Sequence, residues 1–172
     1  GGARLDMTSF RTWCEQNTVN GQLPDTDCTD ILDHEVELAT LAGLETVPQG
    51  LWPDWSDARI DAVVALAPWP RLMVSTGLQN VDVPTLLMIG SGDTSVGPAY
   101  RELQPYQQIA AEKKSEVVFA NAEHPLFFTA CDDVPKAAEL GFHVFCSDPV
   151  WDMDRAHDLI NHFATAFLLA EL

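Results

Sequence analysis

The chain has 172 residues, 47% of them hydrophobic, which suits one ordinary domain with a real core rather than a disordered polymer. It carries 26 acidic residues against 9 Lys and Arg, a formal net charge of −17, and its longest basic run is Lys113-Lys114; that excludes a phosphate-neutralising face for nucleic acid. No run of about 18 apolar residues occurs, so no transmembrane helix is expected, and the acidity reads as a solvated surface.

The chain opens Gly1-Gly2-Ala3 without an initiating Met, from which the expectation is a processed or truncated product. Residues 4–14 read as a short helix with Leu5, Phe10 and Trp13 apolar. Residues 15–27 are a polar loop bracketed by Cys14 and Cys28. Asp30 is expected to cap a helix running to about Ala42, with Asp33, Glu35 and Glu37 in its first turns and Gly43 as its stop. The stretch Thr46 to Asp57 holds Pro48, Gly50 and Pro53 and reads as a loop pinned by Trp52 and Trp55, either as a cover or as core.

Ile60 to Ala67 is a near-continuous apolar run ended by Pro68, which suits a strand buried on both faces. Val83 to Ile89 is a second such run and Glu116 to Ala120 a third. Between these two, Pro98 to Lys113 reads as helix, with Pro105 predicting a break or kink. Ala156, Leu159, Ile160, Phe163, Phe167 and Leu168 recur at three- and four-residue steps and predict a terminal amphipathic helix capped by Asp152 or Asp154. Strands alternating with helices give an α/β protein with a doubly wound, mostly parallel sheet. A sheet of about three strands leaves an edge unpaired. The expectation is therefore the C-terminal part of a larger sheet, with residues 1–58 a helical, Cys-looped insertion and 59–172 the last strands and helices.

The four Cys form two local pairs and no Cys-x-x-Cys, which disfavours a zinc ribbon or a thioredoxin-like motif. Two disulfides, Cys14–Cys28 and Cys131–Cys146, are the preferred reading. Each would close a loop of about 15 residues and contribute roughly 3 kcal/mol in the chain-entropy model. They imply an oxidising compartment, secreted or periplasmic. The alternative is four buried thiols in a cytosolic protein.

The chemistry concentrates where two apolar runs end in small-residue turns, Gly90-Ser-Gly-Asp93 and Ala120-Asn-Ala-Glu-His124. Asp93 is the candidate acid and His124 the candidate base; against this, Asp93 is also a good turn or cap residue, and His124 an ordinary loop residue before Pro125. The interval between them holds one helix and one strand, which brings both turns to one sheet edge. The other residues weighed are less suited. His157 and His162 lie five apart and share no helix face as metal ligands would, so no metal is called for. His34 reads as surface and His143 as structural. Asp132, Asp133 and Asp148 are rival acids. Trp69, Leu126 and Phe127, with Phe128, line an acyl or alcohol pocket or else pack in the core. No Gly-x-Gly-x-x-Gly or Walker loop occurs, and no cofactor is implied.

Three stretches, Gly2 to Asp6, Asp57 to Pro68 and Ala156 to Phe167, together with the order of strands, Asp93 and His124, resemble the C-terminal portion of the α/β-hydrolase superfamily. More narrowly the chain resembles bacterial predicted dienelactone hydrolases, which are related to platelet-activating-factor acetylhydrolases and cutinase-like esterases. The resemblance implies a carboxylic ester hydrolase in which Asp93 and His124 are the second and third members of a Ser…Asp…His triad. It also implies that the serine, in a Gly-x-Ser-x-Gly elbow, and the oxyanion hole lie upstream, because no such elbow occurs here; Gly90-Ser91-Gly92 falls on the triad-Asp turn. The implied partners are a small-molecule or polymeric ester and an N-terminal portion of the same enzyme, either covalently joined or as a separate chain. The competing expectation is a non-catalytic α/β binding module or a degenerate hydrolase fragment.

Overall fold

Three parallel strands, β1 (Val63–Leu66), β2 (Thr85–Gly90) and β3 (Lys114–Phe119), lie in the order β1-β2-β3 in a computed structural model that describes residues 1–19 and 26–172, the side chains at 26, 75 and 138 excepted. The helices are α1 (Met7–Gln16), α2 (Thr26–Asp33), α3 (Glu35–Leu41), α4 (Val74–Leu78), α5 (Gly97–Leu103), α6 (Pro105–Gln108), α7 (Pro135–Glu139) and α8 (Met153–Glu171). Val63 pairs with Thr85 and Thr85 with Lys114, so the strands start level and their carboxyl ends share one rim.

All six residues of β2 are buried, as a central parallel strand requires. Its side chains alternate between two clusters. Leu86 and Met88 pack with Ala156, Ile160 and Phe167 of α8; Leu87 and Ile89 pack on the opposite face with Tyr100, Ile109 and Ala111. The sheet is thus an α/β layer covered on both faces. Burial on both faces, expected of all three runs, holds for β2 alone. β1 is shorter than the 60–67 run and leaves Leu66 42% exposed, and β3 leaves Val118 52% exposed. Both are edge strands, with no partner on their outer side among the described residues.

Residues 1–58 build a second small core from Met7, Phe10, Cys14, Cys28, Ala39 and Trp52. Trp52 belongs to this core and Trp55 is exposed, so Trp52 is not part of a cover. The first helix starts at Met7 rather than at residue 4 because Asp6 caps it, accepting the Ser9 N–H at 2.9 Å. Burial pushes the Asp6 carboxyl up, but hydrogen bonds from Thr76, Ser9 and Thr8 outweigh it and hold the pKa below its ordinary value. The helix expected from Asp30 to Ala42 is two helices; Asp30 lies inside α2, and His34 stands between α2 and α3. Gly43 does end α3, at φ +76°.

The helix expected over 98–113 breaks one residue before Pro105, at Gln104, which is left-handed at φ 46°, and it ends at Gln108. A residue preceding proline is pushed out of the α region, which accounts for the break. Asp152 is the cap of α8, accepting the Arg155 N–H.

Both disulfides are formed, Cys14–Cys28 and Cys131–Cys146. Cys14 and Cys28 are fully buried. The polar loop between them lies in part, over residues 20–25, outside the described residues. No helix among the described residues is long and apolar enough to cross a membrane.

Candidate active site

Asp93 sits in the turn that follows β2, and the turn itself fixes its carboxylate. Oδ1 accepts backbone N–H groups from Ser95 at 2.8 Å, Val96 at 2.9 Å and Gly97 at 3.3 Å. Oδ2 accepts from His124 Nδ1 at 2.9 Å. The Asp93 side chain is 0% exposed, while that of His124 is 23% exposed. The cap role and the site role weighed for Asp93 are therefore not exclusive: one oxygen serves the start of α5 and the other serves the imidazole.

His124 opens a 3-10 turn, His124–Phe127, in which Pro125 supplies a preset φ. A carboxylate oxygen only accepts, so the neutral His124 ring carries its proton on Nδ1 and leaves a lone pair on Nε2. Among the described residues, no hydroxyl or thiol is hydrogen-bonded to that ring. The imidazole and the Phe128 ring form a T-shaped pair, with centroids 5.1 Å apart. The pair is thus a buried acid orienting a part-exposed base.

Two glycines let the turns approach. A Cβ on Gly90 would lie 2.3 Å from the Ala122 carbonyl oxygen, and one on Gly92 would lie 2.8 Å from that of Asn121. The close approach is stitched by hydrogen bonds. Gly92 N–H donates to the Ala122 carbonyl at 2.9 Å, Ser91 N–H to Phe119 at 3.0 Å, and the Asn121 N–H donates to Ser91 Oγ at 2.7 Å. The Gly-Ser-Gly signal in the sequence thus has a steric cause beyond turn formation.

The expected pocket residues are not brought together around His124. Leu126 is 0% exposed and belongs to the core under α8, so it lines no surface pocket. Phe127 is half-buried, packs against both sheet cores and meets Phe119 edge-to-face. The 3-10 turn His124–Phe127 packs these two against the core and leaves Phe128, 40% exposed, as the aromatic beside the base. Trp69 lines a cavity of about 360 Å³ with Gly1, Trp55, Val63, Ala65 and Pro68, on the β1 side of the sheet; neither Asp93 nor His124 lines it. Trp69 also borders a smaller hollow with Ser95 and Val96, whose N–H groups hold Asp93. A further hollow of about 400 Å³, lined by Tyr100, Tyr106 and Glu116, also excludes both residues. There burial, and after it the Glu116 carboxylate, pushes the Tyr100 hydroxyl well above its ordinary pKa, keeping it a neutral donor.

Among the described residues, no rival acid is hydrogen-bonded to the His124 ring. Asp148 accepts three backbone N–H groups, from Glu123, Val150 and Trp151. Asp132 and Asp133 lie in the 3-10 turn Cys131–Asp133, inside the disulfide loop. His157 hydrogen-bonds the Leu126 carbonyl at 3.1 Å. The Asp148 role had a readable signal: Ser147-Asp148-Pro149 is a turn-forming string in which Asx side chains bond the backbone that follows.

No family model, curated protein or solved structure matches the chain.

Proposed function

We propose that this chain supplies the acid and the base of a Ser-His-Asp triad in a carboxylic ester hydrolase of the α/β-hydrolase type, with the serine and the oxyanion hole on a portion N-terminal to Gly1. The observation that carries the reading is the hydrogen bond between buried Asp93 and part-exposed His124 at 2.9 Å, across the carboxyl ends of two adjacent parallel strands. That rim is where open α/β sheets place ligands. Among the described residues the outer side of β1 has no strand partner, which is compatible with further strands of the same sheet. Two disulfides agree with a secreted or periplasmic setting. The substrate is an ester, small or polymeric.

In this mechanism His124 Nε2 takes the serine proton as the hydroxyl attacks the ester carbonyl, and it then returns that proton to the leaving alcohol. Water repeats the cycle on the acyl-enzyme. Asp93 remains ionised throughout; it holds the tautomer and stabilises the imidazolium. The oxyanion donors, on the upstream portion, stabilise the charge that develops on the carbonyl oxygen, an effect that usually lowers the barrier more than any other.

The test is ester cleavage by the complete gene product with p-nitrophenyl esters of graded acyl length. Replacing His124 by Ala, or Asp93 by Asn, is expected to lower kcat on the order of 10⁴-fold in a folded protein. Asp93→Asn is the sharper of the two. Because Oδ1 faces three N–H donors, the Asn carbonyl must stay there and its NH₂ must face Nδ1, which forces the proton onto Nε2. Unchanged rates in both variants, or a complete product with no serine near His124, would leave the binding-module reading instead.

A further inference from the structure

We propose that Asp148, Trp151 and His157 are positioning residues for His124, gripping the backbone of its loop at points Asp93 does not touch. The proposal rests on the reading of His124 as the base, and it assigns roles that the triad alone does not require.

The loop that leaves β3 is held at three points by one downstream segment. Trp151 Nε1 donates to the Ala120 carbonyl at 2.9 Å. Asp148 Oδ2 accepts the Glu123 N–H at 2.6 Å. His157 Nε2 meets the Leu126 carbonyl at 3.1 Å and must carry the proton there, since a carbonyl only accepts. These three backbone groups flank His124 on both sides. They lie beyond the end of β3, so the sheet ladder offers them nothing.

The segment is itself tied down. Asp148 Oδ1 accepts the N–H groups of Val150 at 2.9 Å and Trp151 at 2.8 Å, which sets the indole. That indole packs edge-to-face on Phe119, centroids 5.4 Å apart. Two residues before Asp148, Cys146 is bonded to Cys131, and the Cys131 N–H donates to the Cys146 carbonyl. His157 rides on α8, whose neighbour Ala156 is 0% exposed in the main core. The base loop is therefore tied to two fixed segments: Ser91 and Gly92 of the acid turn, and residues 148–157. The tolerance is small. A His124 Nδ1 to Asp93 distance of 2.9 Å passes out of hydrogen-bond range with a movement of about 0.6 Å.

The test has two arms. On this chain, proton and nitrogen NMR follow the His124 Nδ1 proton, which is downfield and protected from exchange while it is bonded to Asp93. Asp148→Asn turns an NH₂ toward the Glu123 N–H and keeps one acceptor for Val150 and Trp151, so the turn survives and the grip on Glu123 is lost. The expected result is a broadened or missing Nδ1 proton signal with an unchanged circular-dichroism spectrum. His157→Phe is expected to weaken the signal, and His157→Gln, which keeps a donor, to restore it. In the complete enzyme, Asp148→Asn is expected to lower kcat about 10-fold or more with KM unchanged, the pattern of a displaced base. If Asp148→Asn does not fold, Trp151→Phe decides, since it removes one N–H and keeps the ring packing.

A lowered melting temperature with the Nδ1 signal and kcat both intact would overturn the proposal, because a merely structural role predicts that outcome. The two readings fail separately. A wild-type complete enzyme without esterase activity defeats the proposed function and leaves the NMR arm to decide the grip; an unchanged Nδ1 signal in all the variants defeats the grip and leaves the esterase reading standing.

Discussion

Gly90→Ala places one methyl group at the point where the acid and base turns touch. The backbone at Gly90 is not left-handed, so alanine meets no conformational penalty there and the effect is steric. Its Cβ would stand 2.3 Å from the Ala122 carbonyl oxygen, against a closest ordinary approach of 3.0 Å, so that carbonyl must retreat by at least the difference, ~0.7 Å. Overpacking of this kind costs about 1–3 kcal/mol. Loss of the Gly92–Ala122 hydrogen bond adds about 1 kcal/mol. The lower unfolded-state entropy of alanine returns about 0.4–1 kcal/mol. The net destabilisation is about 2 kcal/mol, which lowers Tm by roughly 4–8 °C for a domain of this size. The same retreat, carried along the bond to His124, stretches its contact with Asp93 from 2.9 Å to about 3.6 Å, past the hydrogen-bond limit. Urea unfolding followed by circular dichroism measures the first effect, and the His124 Nδ1 proton signal the second. A variant with wild-type midpoint and an intact Nδ1 signal would refute the claim that Gly90 sets the distance between the turns.

Asp6→Asn probes the cap of α1. A depressed carboxyl pKa stabilises the fold above the ordinary value of about 3.9, and that stabilisation is lost as the pH falls through the folded value. The variant is expected to be about 1 kcal/mol less stable at pH 7, with the gap to wild type closing below about pH 4 in parallel urea melts. Limited reduction followed by alkylation and mass analysis is expected to label Cys131 and Cys146 before Cys14 and Cys28, because both cysteines of the latter pair are 0% exposed whereas Cys131 is partly accessible, although its partner Cys146 is buried. Leu126→Ala is expected to cost about 2–5 kcal/mol as a core cavity, while Phe128→Ala leaves stability within about 1 kcal/mol and acts on ester turnover in the complete enzyme; the reverse pattern would restore Leu126 to the pocket.

The sequence carried the layer order well, because burial of a parallel strand writes itself as an apolar run and α8 as a three- and four-step stripe. The break at Pro105 follows from such a local signal, whereas the strand bounds differ from the apolar runs by one to three residues. The features that were not legible depend on contacts made elsewhere. The apolar spacing of residues 30–42 runs on through His34, so nothing local marks the boundary between α2 and α3. The run 60–67 reads as fully buried, yet β1 is an edge strand with Leu66 exposed, and edge position is a property of the assembled sheet. Leu126 and Phe127 follow the candidate base and so looked like pocket walls; a 3-10 turn of four residues decides which side chains point inward, and no periodicity reports so short an element. Asp148 is half legible: the turn-forming string Ser147-Asp148-Pro149 marks its bonds to Val150 and Trp151, but its bond to the Glu123 N–H, 25 residues upstream, is a property of the fold alone.

The two halves of the candidate site owe their geometry to different ranges of the chain. Asp93 is fixed by its own turn: the three N–H groups on Oδ1 come from the residues two to four positions later, and any fragment that forms β2 and starts α5 will orient that carboxylate. His124 has no such local support. Its loop is placed by the β2–β3 pairing, by the contact at Gly90, and by groups between 25 and 31 residues downstream of the backbone they hold. Local turns form early and resist distant substitutions, whereas a loop defined by non-local contacts inherits the cost of every perturbation to them. Damage spread over the fold therefore reaches the base before the acid. The hydrogen bond between them reports that order, since its acceptor stays in place while its donor drifts.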